Sequence, residues 1–571
     1  MKWLLVLIML VLATGLLPQE GAAGYAATMW PAEANPINPD ALLVIRIGVT
    51  TLAEVRQLST ADLDLLSRDG NELIALVTPA QHAALQAAGW SVRIDQEQTR
   101  QLQALNLQTF QGGYHTVEEV EQFLRTMAAR YPDLVTLVDI GDSWQKVASL
   151  GLGGYDLLGL RLTNKTTPGP KPVFFLMATI HAREIATTEI AMRFIEHLLT
   201  GYAIDPNVTW WLNEYEIVVL PMVNPDGHKI AEQGFYQRKN ANPSNGVDGC
   251  QSPPISPFSN QSGVDLNRNF ALAWGTVVGP ETSPCSAVYP GPSAASESET
   301  QAVQQFVRSL YPAGRSPTLV SPAADDTTGI LITLHSYANM VLWPWGYSAN
   351  APPNSAGLRR LGEQFASFNG YAAGQSSRSL YYSSGTTDDW SYGELGIPSY
   401  TFEIGPSGGL CGGFMPPYSC LDGGNGGDFW AKNLPALRYA AQVVRAPYQQ
   451  PFGPHIRSVE LVSDTASIDL QVELIPATDD PSVTIDQVEV YLDASPWHGG
   501  TPIALEVDNQ GGNTWQTVLT RSQVSTGDDE RQLLLARGRD TTGTWGPITA
   551  TWLPLPASLP QPVWLPMVLR R

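Results

Sequence analysis

In the stretch "TIHAREIATTEI", His181 and Glu184 stand three residues apart, directly after the apolar run Val173–Ile180. An imidazole and a carboxylate at that spacing can hold a metal ion, but an ordinary polar loop also contains such pairs. A third ligand and a base decide between the two. His335 ends the run "ILITLH", and Glu403 lies in "SYTFEIG". Two His and one carboxylate are a frequent ligand set for catalytic zinc and leave a fourth position for water. His181, Glu184 and His335 fill that set, and Glu403 remains as the general base a hydrolytic water requires. The other His residues have weaker claims. His82 and His197 read as helical, His455 and His498 lie far toward the C-terminus, and His115 and His228 read as loop residues without an acidic partner at ligand spacing.

These residues need a frame that brings them to one rim. "LVTLVDIG", "YDLLGLRLTN", "PVFFLMATI", "YEIVVLPMV", "ILITLH" and "PSYTFEIG" read as strands, several apolar throughout, as in a sheet buried on both faces. "VEEVEQFLRTMAARYP" and "TTEIAMRFIEHLL" read as helices between them, the second with a Thr cap and Glu189 in its first turn. The block is an α/β domain with helices on both sides of a sheet. Ligands of such sheets bind beyond the carboxyl ends of the strands. His181, "NPDG" at 224–227, His335 and Glu403 all follow or end a strand.

On both sides of this block the pattern changes. Residues 41–95 alternate strand and helix signals in a β-α-β-α-β order, and a Gln-rich stretch, "QEQTRQLQALNLQTF", follows as a connection open to cleavage. From 452 onward, short alternating strands at regular spacing predict a β-sandwich. We divide the 571 residues into a signal peptide (1–27), a small α+β module (36–107), a catalytic domain (108–447), an immunoglobulin- or fibronectin-like sandwich (452–556) and a Pro-rich tail (557–571). Lys2, the apolar run Trp3–Leu17 and the small residues Ala22, Ala23, Ala26 and Ala27 form the signal pattern, and the run is too short to span a bilayer comfortably. Export permits disulfides, and the four cysteines fall into two local pairs, Cys250 with Cys285 and Cys411 with Cys420. A formal net charge of −21 argues against nucleic acid or anionic lipid as a partner.

"HAREIATTE", "LHSYANMVLWPWGY" and "SYTFEIG" together resemble the zinc metallocarboxypeptidases of the carboxypeptidase A/B family, over roughly residues 110–445. The resemblance implies a central mixed eight-stranded sheet flanked by helices, one zinc ion, and hydrolysis of the last peptide bond of chains with a free C-terminus. It also implies roles for further residues. Asn267 and Arg268 of "GVDLNRNF" would grip the substrate's terminal carboxylate, and a planar guanidinium suits that task. In "LYYSSGTTDDWSYG", Tyr381 aligns with the family's mobile tyrosine, with neighbouring Tyr382 left open. Arg183, Ser336 and Tyr337 match residues that border outer subsites. In "YQRKNANP" the family's oxyanion-stabilising Arg falls on Arg238 or on Ala241, and the chemistry favours the cation. Asp388 matches the base of the side-chain pocket, which implies a preference for C-terminal Lys or Arg. The segment 41–95 stands where the family carries an activation segment, so the resemblance implies that the module 36–107 is a pro-segment. A monomer is expected, with the sandwich as the surface for cell-surface or glycan contact. Competing readings are a peptidase of the same fold acting on peptidoglycan stem peptides, and a binding protein that has lost catalysis.

Overall fold

The computed structural model describes residues 41–103, 110–243, 250, 261–311, 319–463, 467–507, 513–520 and 531–553. The expected signal peptide and the tail lie outside these residues.

The first sheet contains β1 (Leu43–Gly48), β2 (Asp64–Asp69), β3 (Glu72–Val77) and β4 (Val92–Ile94), all antiparallel, in the order β2-β3-β1-β4. The expected three strands become four. "DLLSRD" pairs with "ELIALV" through a two-residue turn at Gly70–Asn71, with Gly70 at φ +57°. Its polar end had hidden a strand with three buried residues. The helices Leu52–Ser59 and Pro79–Ala87 begin with capping boxes, Thr51 with Glu54 and Thr78 with Gln81. The Gln-rich stretch is not an open connection at its start: Gln96–Gln103 is a helix, and Thr99 Oγ1 accepts from Val44 N on β1 at 3.1 Å.

The central sheet contains β5 (Val135–Asp142), β6 (Asp156–Leu162), β7 (Val173–Ala178), β8 (Glu216–Leu220), β9 (Ile330–His335), β10 (Met340–Trp343), β11 (Ala372–Gln375) and β12 (Ser399–Glu403). Their order is β11-β10-β12-β9-β7-β8-β6-β5. β12, β9, β7 and β8 are mutually parallel, and β5, β6 and β10 pair antiparallel to their inner neighbours, so the sheet is mixed as expected. Every residue of β7 and β9 is buried, which explains their unbroken apolar sequences. In the register of β9 with β12, His335 lies opposite Glu403. β7 ends one strand away from β9, so three functional strand ends converge at the sheet centre.

Two four-stranded sheets complete the described chain. One orders β13 (His455–Ser463), β14 (Ser467–Ile475), β18 (Thr514–Thr520) and β17 (Glu506–Val507). The other orders β16 (Ile503–Ala504), β15 (Ile485–Leu492), β19 (Leu533–Asp540) and β20 (Thr549–Trp552). Leu470, Val472, Val488, Val490 and Leu534 fill the space between them. The outer face of the second sheet is covered too: Tyr491, Leu533, Leu535, Ile548 and Ala550 join the core of the α/β domain. Polar bonds fasten the contact. Ala550 N donates to Asn207 Oδ1 at 2.9 Å, Trp552 Nε1 donates to Ile204 O at 2.8 Å, and Glu214 meets Ser495 Oγ at 3.0 Å and His498 Nδ1 at 2.9 Å. Both cysteine pairs are bonded as expected, Cys250 to Cys285 and Cys411 to Cys420.

Candidate active site

The corner after β7 is built by hydroxyls. Thr179 adopts φ +51°, and its Oγ1 meets Thr187 Oγ1 at 2.9 Å. Glu184 N donates to His181 O and Thr187 N to Glu184 O, and these turns lead into the helix Ala186–Gly201. The expected Thr cap is therefore corrected. Ile185 occupies the cap position, and the Thr187 hydroxyl bonds the Glu184 carbonyl at 2.6 Å instead. Glu189 does fall in the first turn, and there it pairs with His115 Nδ1 at 3.0 Å. His115 thus has an acidic partner 74 residues away in sequence, and His228 belongs to the helix Pro225–Glu232. Neither belongs with the ligand group.

His181, Glu184 and His335 do come together. His181 Nδ1 lies 2.7 Å from Glu184 Oε1, and His335 Nδ1 lies 3.1 Å from Glu184 Oε2 and 3.2 Å from His181 Nδ1. All three are buried, and His335 Nε2 has no hydrogen-bond partner. Burial works against charge here, yet the two imidazoles hold the Glu184 carboxyl below the usual range, and Glu184 in turn raises His335. Burial and the Arg238 guanidinium lower His181. Glu403 shares the cavity, and burial pushes its carboxyl up to about 8.

Sequence reasoning passed over Asp265, the Asp of "GVDLNRNF". Its Oδ1 lies 3.1 Å from His181 Nε2, and its Oδ2 lies 2.9 Å from an Arg238 terminal nitrogen. Arg238 and His181 overcome burial and hold it well below the usual carboxylate range. One buried carboxylate thereby orients an imidazole and a guanidinium. Its position two residues before Asn267–Arg268 was the available signal.

Arg238, Asn267, Arg268, Ser336, Tyr381 and Asp388 border the same cavity as the ligand group. Asn267 Oδ1 accepts from both Thr387 N and Thr387 Oγ1 at 2.9 Å, which ties this loop to the helix carrying Asp388. Of the two adjacent tyrosines, Tyr381 borders the cavity. Tyr382 packs against the first module, where Arg56 lies over its ring at 5.1 Å. Arg183 and Tyr337 do not border it. Tyr337 packs on Phe414 at 4.8 Å, and Arg183 borders a neighbouring cavity of about 170 Å³. Leu65 and Leu66 of β2 close over the central cavity and leave it about 40 Å³, room for a few waters and not for a peptide.

Residues 120–423, more than half of the chain, match the family model described as zinc carboxypeptidase. The chain belongs to the zinc carboxypeptidase family. A zinc carboxypeptidase of Saccharothrix mutabilis subsp. capreolus is 31% identical over 386 residues, covering 64% of this chain and 81% of that protein. Carboxypeptidase B of Helicoverpa zea is 27% identical over 413 residues, covering 65% and 87%. The crystal structure of carboxypeptidase A from Helicoverpa armigera shares the fold, with a TM-score of 0.55 at 22% identity over 70% of this chain and 98% of that one. As a zinc carboxypeptidase the chain is a hydrolase of peptides with a free C-terminus. Zinc is implied by the family, and His181, Glu184 and His335 form the one group among the described residues that could hold it. His181 Nδ1, His335 Nδ1 and the Glu184 carboxylate converge as a buried two-imidazole, one-carboxylate donor set, which fits that ion.

Proposed function

We propose that this zinc carboxypeptidase is exported as a precursor and, once freed of its first module, removes basic residues from peptide C-termini. The observation that carries the specificity is Asp388, buried on the cavity wall with no ion-pair partner among the described residues. A carboxylate there calls for a cationic guest. Leu342, Ser376, Leu380 and Thr401 border the same space and suit the aliphatic stem of Lys or Arg.

His181, Glu184 and His335 would hold zinc, which when bound supplies a Lewis acid that acidifies water and polarises a carbonyl. Glu403 takes a proton from the attacking water and delivers it to the departing amine as the C–N bond breaks. Burial raises this carboxyl above the usual range, toward the pH at which one group can both take and return a proton. Arg238 stabilises the oxyanion, and Asp265 fixes its guanidinium. Asn267, Arg268 and Tyr381 receive the terminal carboxylate, which restricts the reaction to the last bond.

Support for a precursor comes from β2: Leu65 and Leu66 occlude the cavity, and Asp64 occupies Arg183. Support for export comes from the pattern of residues 1–27 and from two disulfides. We retain the division into 1–27, 36–107, 108–447, 452–556 and 557–571 as part of this proposal. The test is release of C-terminal Arg, Lys and Phe from matched peptides, before and after limited proteolysis, with and without a zinc chelator. Equal rates on all three ends reject basic specificity, and full activity of the uncut chain rejects the precursor.

A further inference from the structure

Thr386 precedes the helix Thr387–Leu395 and occupies its N-cap position, yet its side chain makes no capping bond. A Thr in that position ordinarily accepts from an amide of the first turn. Here other groups take those amides. Thr387 N donates to Asn267 Oδ1 at 2.9 Å, and Asp389 N donates to Asp388 Oδ1 at 3.0 Å. The Thr386 hydroxyl is left buried with no partner, and the residue borders the same cavity as Asp388. Other polar groups nearby are engaged: Ser376 Oγ donates to Trp343 O at 3.0 Å, and Asp389 accepts from Gly346 N and Tyr347 N. Ser336 Oγ is also unpartnered, but it follows the ligand His335 directly.

We propose that Thr386 is a specificity-determining residue whose hydroxyl joins Asp388 in binding the guanidinium of a C-terminal arginine, so that the enzyme takes Arg ahead of Lys. The inference rests on the basic specificity proposed above. Asp388 Oδ1 already receives one amide, so the carboxylate alone cannot serve the five donors of a guanidinium. An ammonium is a compact charge that one carboxylate and water satisfy. An added buried acceptor therefore favours Arg selectively, and a buried hydroxyl left without a donor is otherwise a cost to the fold.

The experiment compares kcat/KM on peptides that differ only in a terminal Arg, Lys or Phe, using the full-length protein before and after limited proteolysis. The wild type, T386V, T386S and D388N are assayed. The wild type should favour Arg over Lys. T386V should lower the rate on Arg by about tenfold and that on Lys by no more than about twofold. T386S, which keeps the hydroxyl, should retain the Arg preference. Equal losses on Arg and Lys in T386V would mark Thr386 as structural only and overturn the proposal. So would an unchanged Arg-to-Lys ratio in an enzyme that still prefers basic ends. A wild type that prefers Phe, with D388N unaltered in its preference, would sink the Asp388 reading and Thr386 with it, a result distinct from the other two.

Discussion

Asp64 and Arg183 face each other as a two-pronged pair, with Oδ2 2.7 Å from one terminal nitrogen and Oδ1 2.9 Å from the other. The guanidinium lies 4.0 Å over the Phe414 ring, and its Nε is buried without a partner. Removing one member of such a buried pair typically costs about 3–5 kcal/mol, because the other charge is left uncompensated. D64N should therefore loosen the first module. The uncut variant should hydrolyse peptides at least about tenfold faster than the uncut wild type, and limited proteolysis should proceed faster. Equal activity and equal cleavage rates would show that this pair is not a latch.

Glu403 lies opposite His335 in the sheet but is not needed to complete the ligand group. E403Q should keep its zinc and lose about 10²–10⁴-fold in turnover, the usual contribution of a positioned base. Metal analysis alongside steady-state rates checks both halves. Near wild-type turnover would remove Glu403 from the mechanism.

Asp265 touches no substrate in the proposed mechanism, yet it holds His181 and Arg238. Loss of such an orienting carboxylate commonly weakens metal affinity by about 10–100-fold. D265N should show that loss in competition with a chelator, together with a lower kcat. Unchanged zinc affinity would mean that His181 is oriented by other contacts.

Glu299 offers a test of pH dependence away from the site. It is fully buried at the start of the helix Ser298–Leu310, and burial pushes its carboxyl up to about 8. An unfolded Glu titrates near 4.3. Between those values the folded chain keeps a proton that the unfolded chain has lost, so stability falls as pH rises. The slope from this group approaches about 1.4 kcal/mol per pH unit. E299Q removes that exchange, so its Tm should drop less than the wild type's from pH 5 to pH 8. Parallel Tm curves would show that Glu299 is ionised in the folded chain.

The metal group and its base were legible in the amino-acid sequence because His335 and Glu403 end strands and His181 and Glu184 stand in the corner after the apolar β7, and such strands announce themselves. The resemblance implied eight strands, but β10 and β11 were not located in the sequence; "AAGQ" carries no strand signal and gains its place from pairing with Met340–Trp343. Asp265 was hidden for the opposite reason. It lies in a loop, and its importance comes from His181 and Arg238, 84 and 27 residues away. The Thr cap was misplaced because local preference for a hydroxyl at a helix start lost to the bonds between Thr179 and Thr187. Asp64 had no signal at all, since its partner lies 119 residues further on.

The seating of the second sandwich sheet on the α/β domain bears on how the protein is made. Leu535, Ile548 and Ala550 finish a core that includes Trp210, Trp211 and Leu212, and Asn207 waits for the backbone of Ala550, 343 residues later. Synthesis runs from the N-terminus, so the α/β domain is translated about a hundred residues before its last covering strands exist. A chain that stops short of Thr549 leaves the indole-rich flank of the protease uncovered. Covering of that flank therefore waits until the strand Thr549–Trp552 has been synthesised.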